Sequence, residues 1–294
     1  MLKILIFGAG SVGTYFGTKL YAAQHDVQLY GRGKLQQLGS TVYINGQRYQ
    51  LPPKVDQLDE GPYQLILVTT KLLDVAQAVT AIEQHRPSPQ IVAFVQNGIV
   101  EDSLYGSLIK HPGFITISLF NGYHLQQQRL TVLETHLGVQ VENSSVGKKL
   151  CELFNSAGIF CQATAHIEQM RARKLILNAA LNALSGLLQK SMGALVDDPQ
   201  IRPTLEGLIY EGWAVLRRDY NLPPPDILAE EIYQAARQAA HHYSSLYQDL
   251  QSGRPTEIEF LNGLIVKRGQ QQGIATPYNQ QIHQQVLLAS GGAP

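Results

Sequence analysis

The chain has 294 residues, 44% of them hydrophobic and 16% charged, which is ordinary globular composition and length enough for two domains with separate cores. Its 23 basic and 23 acidic residues balance, and no Lys/Arg run marks a partner such as nucleic acid or an anionic membrane surface. Cys151 and Cys161 have neither metal-ligand spacing nor a disulfide framework, the start MLKILIFGAG is glycine-punctuated too early for a secretion leader, and no apolar run has bilayer length, so a cytoplasmic protein is expected.

Lys3–Phe7 is a continuous apolar run, as in a buried parallel strand. Gly8-Ala9-Gly10-Ser11-Val12-Gly13 follows, and then a helical stretch to about Gln24. Strand, G-x-G-x-x-G and helix in that order form the dinucleotide fingerprint. The first glycine makes the tight turn, the second admits the pyrophosphate, the third lets helix pack on strand, and the helix N-terminus offers amide donors. The second strand, Asp26–Tyr30, ends without the acidic residue that holds an NAD ribose and runs instead into Gly31-Arg32-Gly33-Lys34. Arg32 there suits a 2′-phosphate, so NADP(H) is the expected cofactor; the plain alternative is a pair of solvated loop cations.

Thr41–Ile44 and Arg48–Leu51 flank Asn45-Gly46, a hairpin signal. Gln64–Thr70 is another buried strand delivering Lys71, and Ile91–Val95 delivers Gln96-Asn97-Gly98. Ligands of open α/β sheets bind beyond the carboxyl ends of strands, so Lys71 and Asn97 are candidates to line the cofactor site. Phe114–Asn121, Arg129–Glu134 and Leu137–Val141 read as strands extending the sheet antiparallel, followed by a helix over Ser144–Ala157 and a last strand at Ile159–Ala163. Beyond about residue 166 the pattern is helical: Glu168–Leu188, Ile201–Tyr220, Pro225–His241, Glu257–Gln272 and Pro277–Ala289. The expected fold class is therefore an α/β Rossmann-like N-terminal domain (1–166) followed by an all-α C-terminal domain (167–294), with a cleft between them.

The helix over Arg171–Leu188 is apolar all round, as a core helix is, except for Lys174, Asn178 and Asn182 on one stripe at i, i+4 and i+8. Burying an unpartnered amide costs about 1–3 kcal/mol, and a bare ammonium more. The stripe is therefore either a hydrogen-bonded or solvated structural feature or one wall of a wet active site. Farther on, Pro255-Thr256-Glu257 resembles a helix start with Thr256 as cap, so Glu257 and Glu259 serve either that first turn or a catalytic site.

Together these residues resemble the ketopantoate reductase family over nearly the whole chain. The resemblance rests on GAGSVG at 8–13, TTK ending in Lys71, QNG at 96–98, and the Lys174, Asn178, Asn182 spacing. SSLYQD at 244–249, GRPTEIEFLNG at 253–263 and GIATPYN at 273–279 complete it. It implies reduction of the 2-oxo acid 2-oxopantoate to pantoate with NADPH, on the route to pantothenate and coenzyme A. By the same resemblance Lys174 is the general acid and Asn178, Asn182 and Ser245 bind substrate. Asn97 sits at the cofactor–substrate junction, Glu257 lies by the nicotinamide end, and Arg32 and Lys71 hold the 2′-phosphate. A helical second domain is also a candidate homodimer interface. Two positions depart from the bacterial pattern: Met192 replaces an asparagine near the substrate, and Asp74 stands where an amide is common, three residues after Lys71. Rival readings are reduction of a different branched 2-oxo acid, a 3-hydroxyacid-type dehydrogenase, and a non-catalytic NADP-binding sensor.

Overall fold

The computed structural model describes residues 1–31, 38–58, 61–85, 88–95 and 98–291; Arg32, Lys34 and Asn97, singled out above, lie outside them. The chain divides into two compact units, Met1–Asn97 with Glu101–Ile167, and Gly98–Val100 with Glu168–Pro294. The division differs from a single cut at 166 by one residue and by the strip Gly98–Val100.

The first unit runs β1 (Lys3–Phe7), α1 (Ser11–Ala22), β2 (Asp26–Tyr30), β3 (Thr41–Ile44), β4 (Gln47–Gln50), β5 (Lys54–Val55) and β6 (Pro62–Val68). It continues with α2 (Val75–His85), β7 (Ser88–Val95), β8 (Phe114–Leu119), β9 (Gly122–Gln126), β10 (Arg129–Leu133), β11 (Val139–Glu142), α3 (Ser145–Ser156) and β12 (Cys161–Thr164). Among the described residues the main sheet has the order β12-β11-β8-β7-β6-β1-β2-β5. β1 lies between β2 and β6, parallel to both, with Phe7 level with Tyr30 and Val68. Ile4, Leu5, Ile6, Leu65, Ile66 and Leu67 are buried, as unbroken apolar runs in a parallel sheet must be.

The strands after Phe114 do not all extend this sheet antiparallel. β8 is parallel to β7, and only β11 is antiparallel, to β8. β10 leaves the sheet and joins a second one, β4-β3-β10-β9. Its pattern explains this: Leu130 and Val132 are buried while Arg129, Thr131 and Leu133 face outward, the alternation of a strand covered on one side only. The hairpin at Asn45-Gly46 is present, with positive φ at both residues, and it belongs to this second sheet. Asn45 locks it to β10, Nδ2 donating to the Val132 carbonyl at 3.1 Å and Oδ1 accepting from the Val132 N–H at 2.8 Å.

In the second unit come α4 (Ile167–Leu188), α5 (Met192–Val196), α6 (Arg202–Leu216), α7 (Pro225–Gln238), α8 (Ser245–Gln251), α9 (Asn262–Gln272) and α10 (Pro277–Ala289). Leu175, Ile176, Ala179, Ala180 and Ala183 of α4 form a core with residues such as Leu208, Ile209, Ile232 and Ile265. The helix expected from Glu257 begins only at Asn262. Ile258–Phe260 form a single 3-10 turn, and Leu261, at φ −110° and ψ −98°, separates it from α9. Thr256 is buried rather than capping a helix. The short helices α5 and α8 carry too few turns for a sequence period to reveal them. No helix of the described residues is long and apolar enough to cross a membrane.

Nothing in the sequence indicates that the two cysteines meet. Packing of α3 beside β12 brings Cys151 Sγ and Cys161 Sγ to 3.0 Å, both buried and both free. Burial pushes both thiols up from the ordinary cysteine range, leaving little thiolate at neutral pH. In the folded protein at pH 8, iodoacetamide should therefore alkylate both sites at least about tenfold more slowly than after unfolding in guanidinium. Equal rates, read by peptide mass spectrometry, would show that neither thiol is shielded.

Candidate active site

In the first unit the glycine loop closes between β1 and α1. Gly8 has φ +109°, donates its N–H to the Tyr30 carbonyl at 2.8 Å, and leaves no space for a side chain beside Thr70. A Cβ on Gly13 would lie 1.8 Å from the Gly8 carbonyl oxygen, so Gly13 is required by the contact of α1 with the loop. Gly10 is different. Its φ is −75° and a Cβ there would meet nothing within 4 Å among the described residues, so they do not demand glycine. No side chain caps α1, and its first turn holds no carboxylate. An exposed glycine before an uncapped helix N-terminus fits a pyrophosphate: backbone approach is open and amide donors are available. Ala9, Ser11 and Val12 are half-buried along this loop.

Thr69 ties the end of β6 to the loop, its N–H donating to the Phe7 carbonyl at 2.8 Å and its Oγ1 to the Gly8 carbonyl at 2.6 Å. Lys71, two residues on, thus emerges at the same edge of the sheet as the glycines. It precedes a 3-10 turn, Leu72–Asp74, in which Asp74 is exposed. Arg32 and Asn97 lie outside the described residues.

The second unit carries the polar stripe on α4. Asn178 is buried, and Asn182 and Lys174 are half-buried. Desolvation by the surrounding protein brings the Lys174 ammonium down from the ordinary lysine range to about 8, with the Glu257 carboxylate opposing the fall. The two carboxylates after Pro255 divide their work: Glu257 acts on Lys174, whereas Glu259 is exposed and lies 3.1 Å from His283 Nε2.

The serine doublet divides as well. Ser245 is the exposed first residue of α8. Ser244 is buried, accepting from the Tyr247 N–H at 3.0 Å as the helix cap and donating to the Asn182 carbonyl at 3.0 Å. Its N–H reaches Ser185 Oγ at 3.3 Å. Sequence reading selected Ser245 and missed the structural part of Ser244. A cap signal one residue before a short helix was the available clue.

Family models described as Ketopantoate reductase PanE/ApbA and Ketopantoate reductase PanE/ApbA C terminal match residues 4–140 and 166–289. The chain is 27% identical over 303 residues to a 2-dehydropantoate 2-reductase of Vibrio cholerae, covering 97% of each. Among solved structures it resembles a PanE/ApbA family ketopantoate reductase from Ralstonia eutropha JMP134, at 28% identity and TM-score 0.87 over 99% of both chains. It also resembles D-mandelate dehydrogenase in a ternary structure with NADH and anilino(oxo)acetate, at 22% identity and TM-score 0.86 over 99% of this chain and 98% of that one. At that identity the second likeness is one of fold.

The contrast between the glycines is testable. Gly13→Ala should cost about 1–3 kcal/mol of stability through overpacking, read by thermal or urea unfolding. Gly10→Ala should leave stability within about 0.5 kcal/mol but weaken NADPH binding, titrated by calorimetry, about tenfold or more. A Gly10 variant that binds NADPH normally would remove the loop from the pyrophosphate.

Proposed function

The chain belongs to the ketopantoate reductase family and is an NADP-dependent oxidoreductase, and on that premise we propose that it reduces 2-oxopantoate to pantoate. The observation that carries this reading is the coupling of Lys174 to Glu257 on a helix that also presents Asn178 and Asn182. NADPH, when bound, supplies a hydride to the carbonyl carbon. The electron pair displaced from the C=O bond then gathers on oxygen, where charge must be neutralised in the transition state.

On this reading Lys174 Nζ donates to that oxygen and gives it a proton. An ammonium titrating near 8 is still mostly charged at pH 7, yet releases its proton far more readily than an ordinary lysine. Glu257 keeps enough negative charge nearby to hold the proton until it is needed. Asn178 and Asn182 orient the polar groups of the 2-oxo acid, and Ser245 holds a carboxylate or hydroxyl. Arg32 and Lys71 take the 2′-phosphate, and Asn97 stands at the junction of cofactor and substrate.

A second reading, reduction of a different branched 2-oxo acid, is favoured by Met192. Its side chain is buried in the helical core at the start of α5, its N–H donating to the His242 carbonyl at 2.9 Å, and a thioether cannot replace an amide toward a polar substrate group.

NADPH oxidation against a panel of 2-oxo acids separates these readings: 2-oxopantoate should be clearly preferred to 2-oxoisovalerate, and equal kcat/KM values would sink the named substrate. Lys174→Ala should lower turnover by about 100-fold or more while NADPH still binds. Because reduction needs the protonated lysine, kcat should be level below its midpoint near pH 8 and fall above it. Glu257→Gln removes the carboxylate that raises that midpoint and should move the fall to lower pH. A profile unmoved by either variant would exclude Lys174 as the acid.

A further inference from the structure

Two asparagines have no part of their own in the proposed chemistry. Asn262 heads α9 and Asn279 lies in the first turn of α10, and both are fully buried. Asn262 Nδ2 donates to the Ala179 carbonyl oxygen of α4 at 3.0 Å and to Asn279 Oδ1 at 3.0 Å, so both of its hydrogens are used. A backbone carbonyl can only accept, which fixes the orientation of this amide. Asn279 Nδ2 donates in turn to the Leu208 carbonyl at 3.2 Å and to Glu211 Oε2 at 2.8 Å. Glu211 also accepts the backbone N–H groups of Tyr278 and Asn279, each at 2.9 Å. A buried relay therefore runs from the Glu211 carboxylate on α6, through Asn279 and Asn262, to the backbone of α4.

Its endpoint is informative. Ala179 follows Lys174 by five residues, and Asn262 follows Glu257 by five. The Asn262–Ala179 bond thus ties together the two segments whose charges interact, about 7.5 Å along α4 from the lysine. The Glu257 segment has no regular helix of its own, only the 3-10 turn and the break at Leu261. Leu261 and Leu264 are buried around Asn262, but apolar contact is non-directional and tolerates sliding. Asn262 Oδ1, moreover, is buried with no hydrogen-bond partner among the described residues. An amide kept despite that loss is poorly explained as a contribution to stability, since an apolar residue would avoid it.

We propose that Asn262 and Asn279 are positioning residues that hold the Glu257 segment in register with α4 and so set the approach of the Glu257 carboxylate to the Lys174 ammonium. The inference rests on the reading of Lys174 and Glu257 as a working pair. The other charged groups nearest on α4 have their own ion-pair partners: Arg171 with Glu168, and Arg173 with Glu231 at 2.8 Å. The Glu257 carboxylate acts on Lys174.

The test reads the lysine directly and needs no substrate: the pH dependence of Lys174 acetylation by acetic anhydride, followed by peptide mass spectrometry on the full chain. The wild-type midpoint should lie near 8. Glu257→Gln should lower it, and Asn262→Ala should lower it in the same direction, raising the acetylation rate at pH 7 about threefold or more. The double variant Asn262→Ala/Glu257→Gln should go no further than Glu257→Gln alone, because the asparagine acts through the carboxylate. Should Asn262→Ala not fold by circular dichroism, Asn279→Ala removes the anchor while leaving the Ala179 bond, and should give the same shift in smaller size. An unchanged midpoint in a folded asparagine variant, additive shifts in the double variant, or no effect of Glu257→Gln would each overturn the proposal. Failure of 2-oxopantoate turnover would sink the substrate assignment alone and leave this measurement standing.

Discussion

Helix α4 of the second unit carries a lysine that burial desolvates. α4 is buried along most of its circumference, and the packing that stabilises it removes water from Lys174. Desolvation alone would bring the ammonium lower still; the Glu257 carboxylate opposes that fall. Neither effect belongs to a local motif. The first arises from burial in the folded protein, and the second from a turn that begins some eighty residues later in the chain. The backbone of α4 is therefore held as well as its side chains. Two of its carbonyls, those of Ala179 and Asn182, accept side-chain donors from Asn262 and Ser244. Such bonds are worth only about 0.5–1.5 kcal/mol each, little beside the apolar core, but they are directional. They fix register where apolar contacts would not.

The glycine loop of the first unit divides by cause in a similar way. Gly8 and Gly13 are glycines because the protein's own backbone occupies the place of a side chain. Gly10 answers to no atom of the described residues. A spacing pattern cannot separate these, since all three read as G. Contact geometry does, and it separates the two that serve the turn from Gly10, which the proposed reading gives to the cofactor.

Much of this was legible in the sequence where the information is local. The run Lys3–Phe7 with its glycines gave strand, loop and helix, Asn45-Gly46 gave a hairpin, and the apolar stretch around Leu175–Leu188 gave the long helix, which starts one residue earlier than expected. What stayed hidden depends on residues far apart in sequence. The departure of β10 to a second sheet is set by its pairing with β3, some ninety residues before it. The meeting of Cys151 and Cys161 needs α3 laid beside β12. Period and composition identify which face of an element is apolar, not which element will cover it. The same limit applies to the site. Lys174, Asn178 and Asn182 could be placed on one stripe by counting, but whether Ser244 or Ser245 was the structural serine, and which of Glu257 and Glu259 acted on the lysine, depended on tertiary contacts.

On the proposed reading, the groups that perform the reaction are not those that choose the substrate. Every 2-oxo acid presents a carbonyl beside a carboxylate, so Lys174 and the electrostatics behind it would serve 2-oxopantoate and 2-oxoisovalerate alike. The polar difference between the two acids is a hydroxyl. A site built to hydrogen-bond a substrate hydroxyl rejects the analogue that lacks one strongly, because its own polar group is then left buried and unpaired; an apolar pocket discriminates far more weakly. Choice of substrate should accordingly reside in Asn182 and Ser245, the stripe and doublet members with solvent exposure, rather than in buried Asn178. Met192, apolar and packed in the core, contributes no donor or acceptor that could assist them. A chain can thus keep the Lys174–Glu257 machinery intact while its substrate changes.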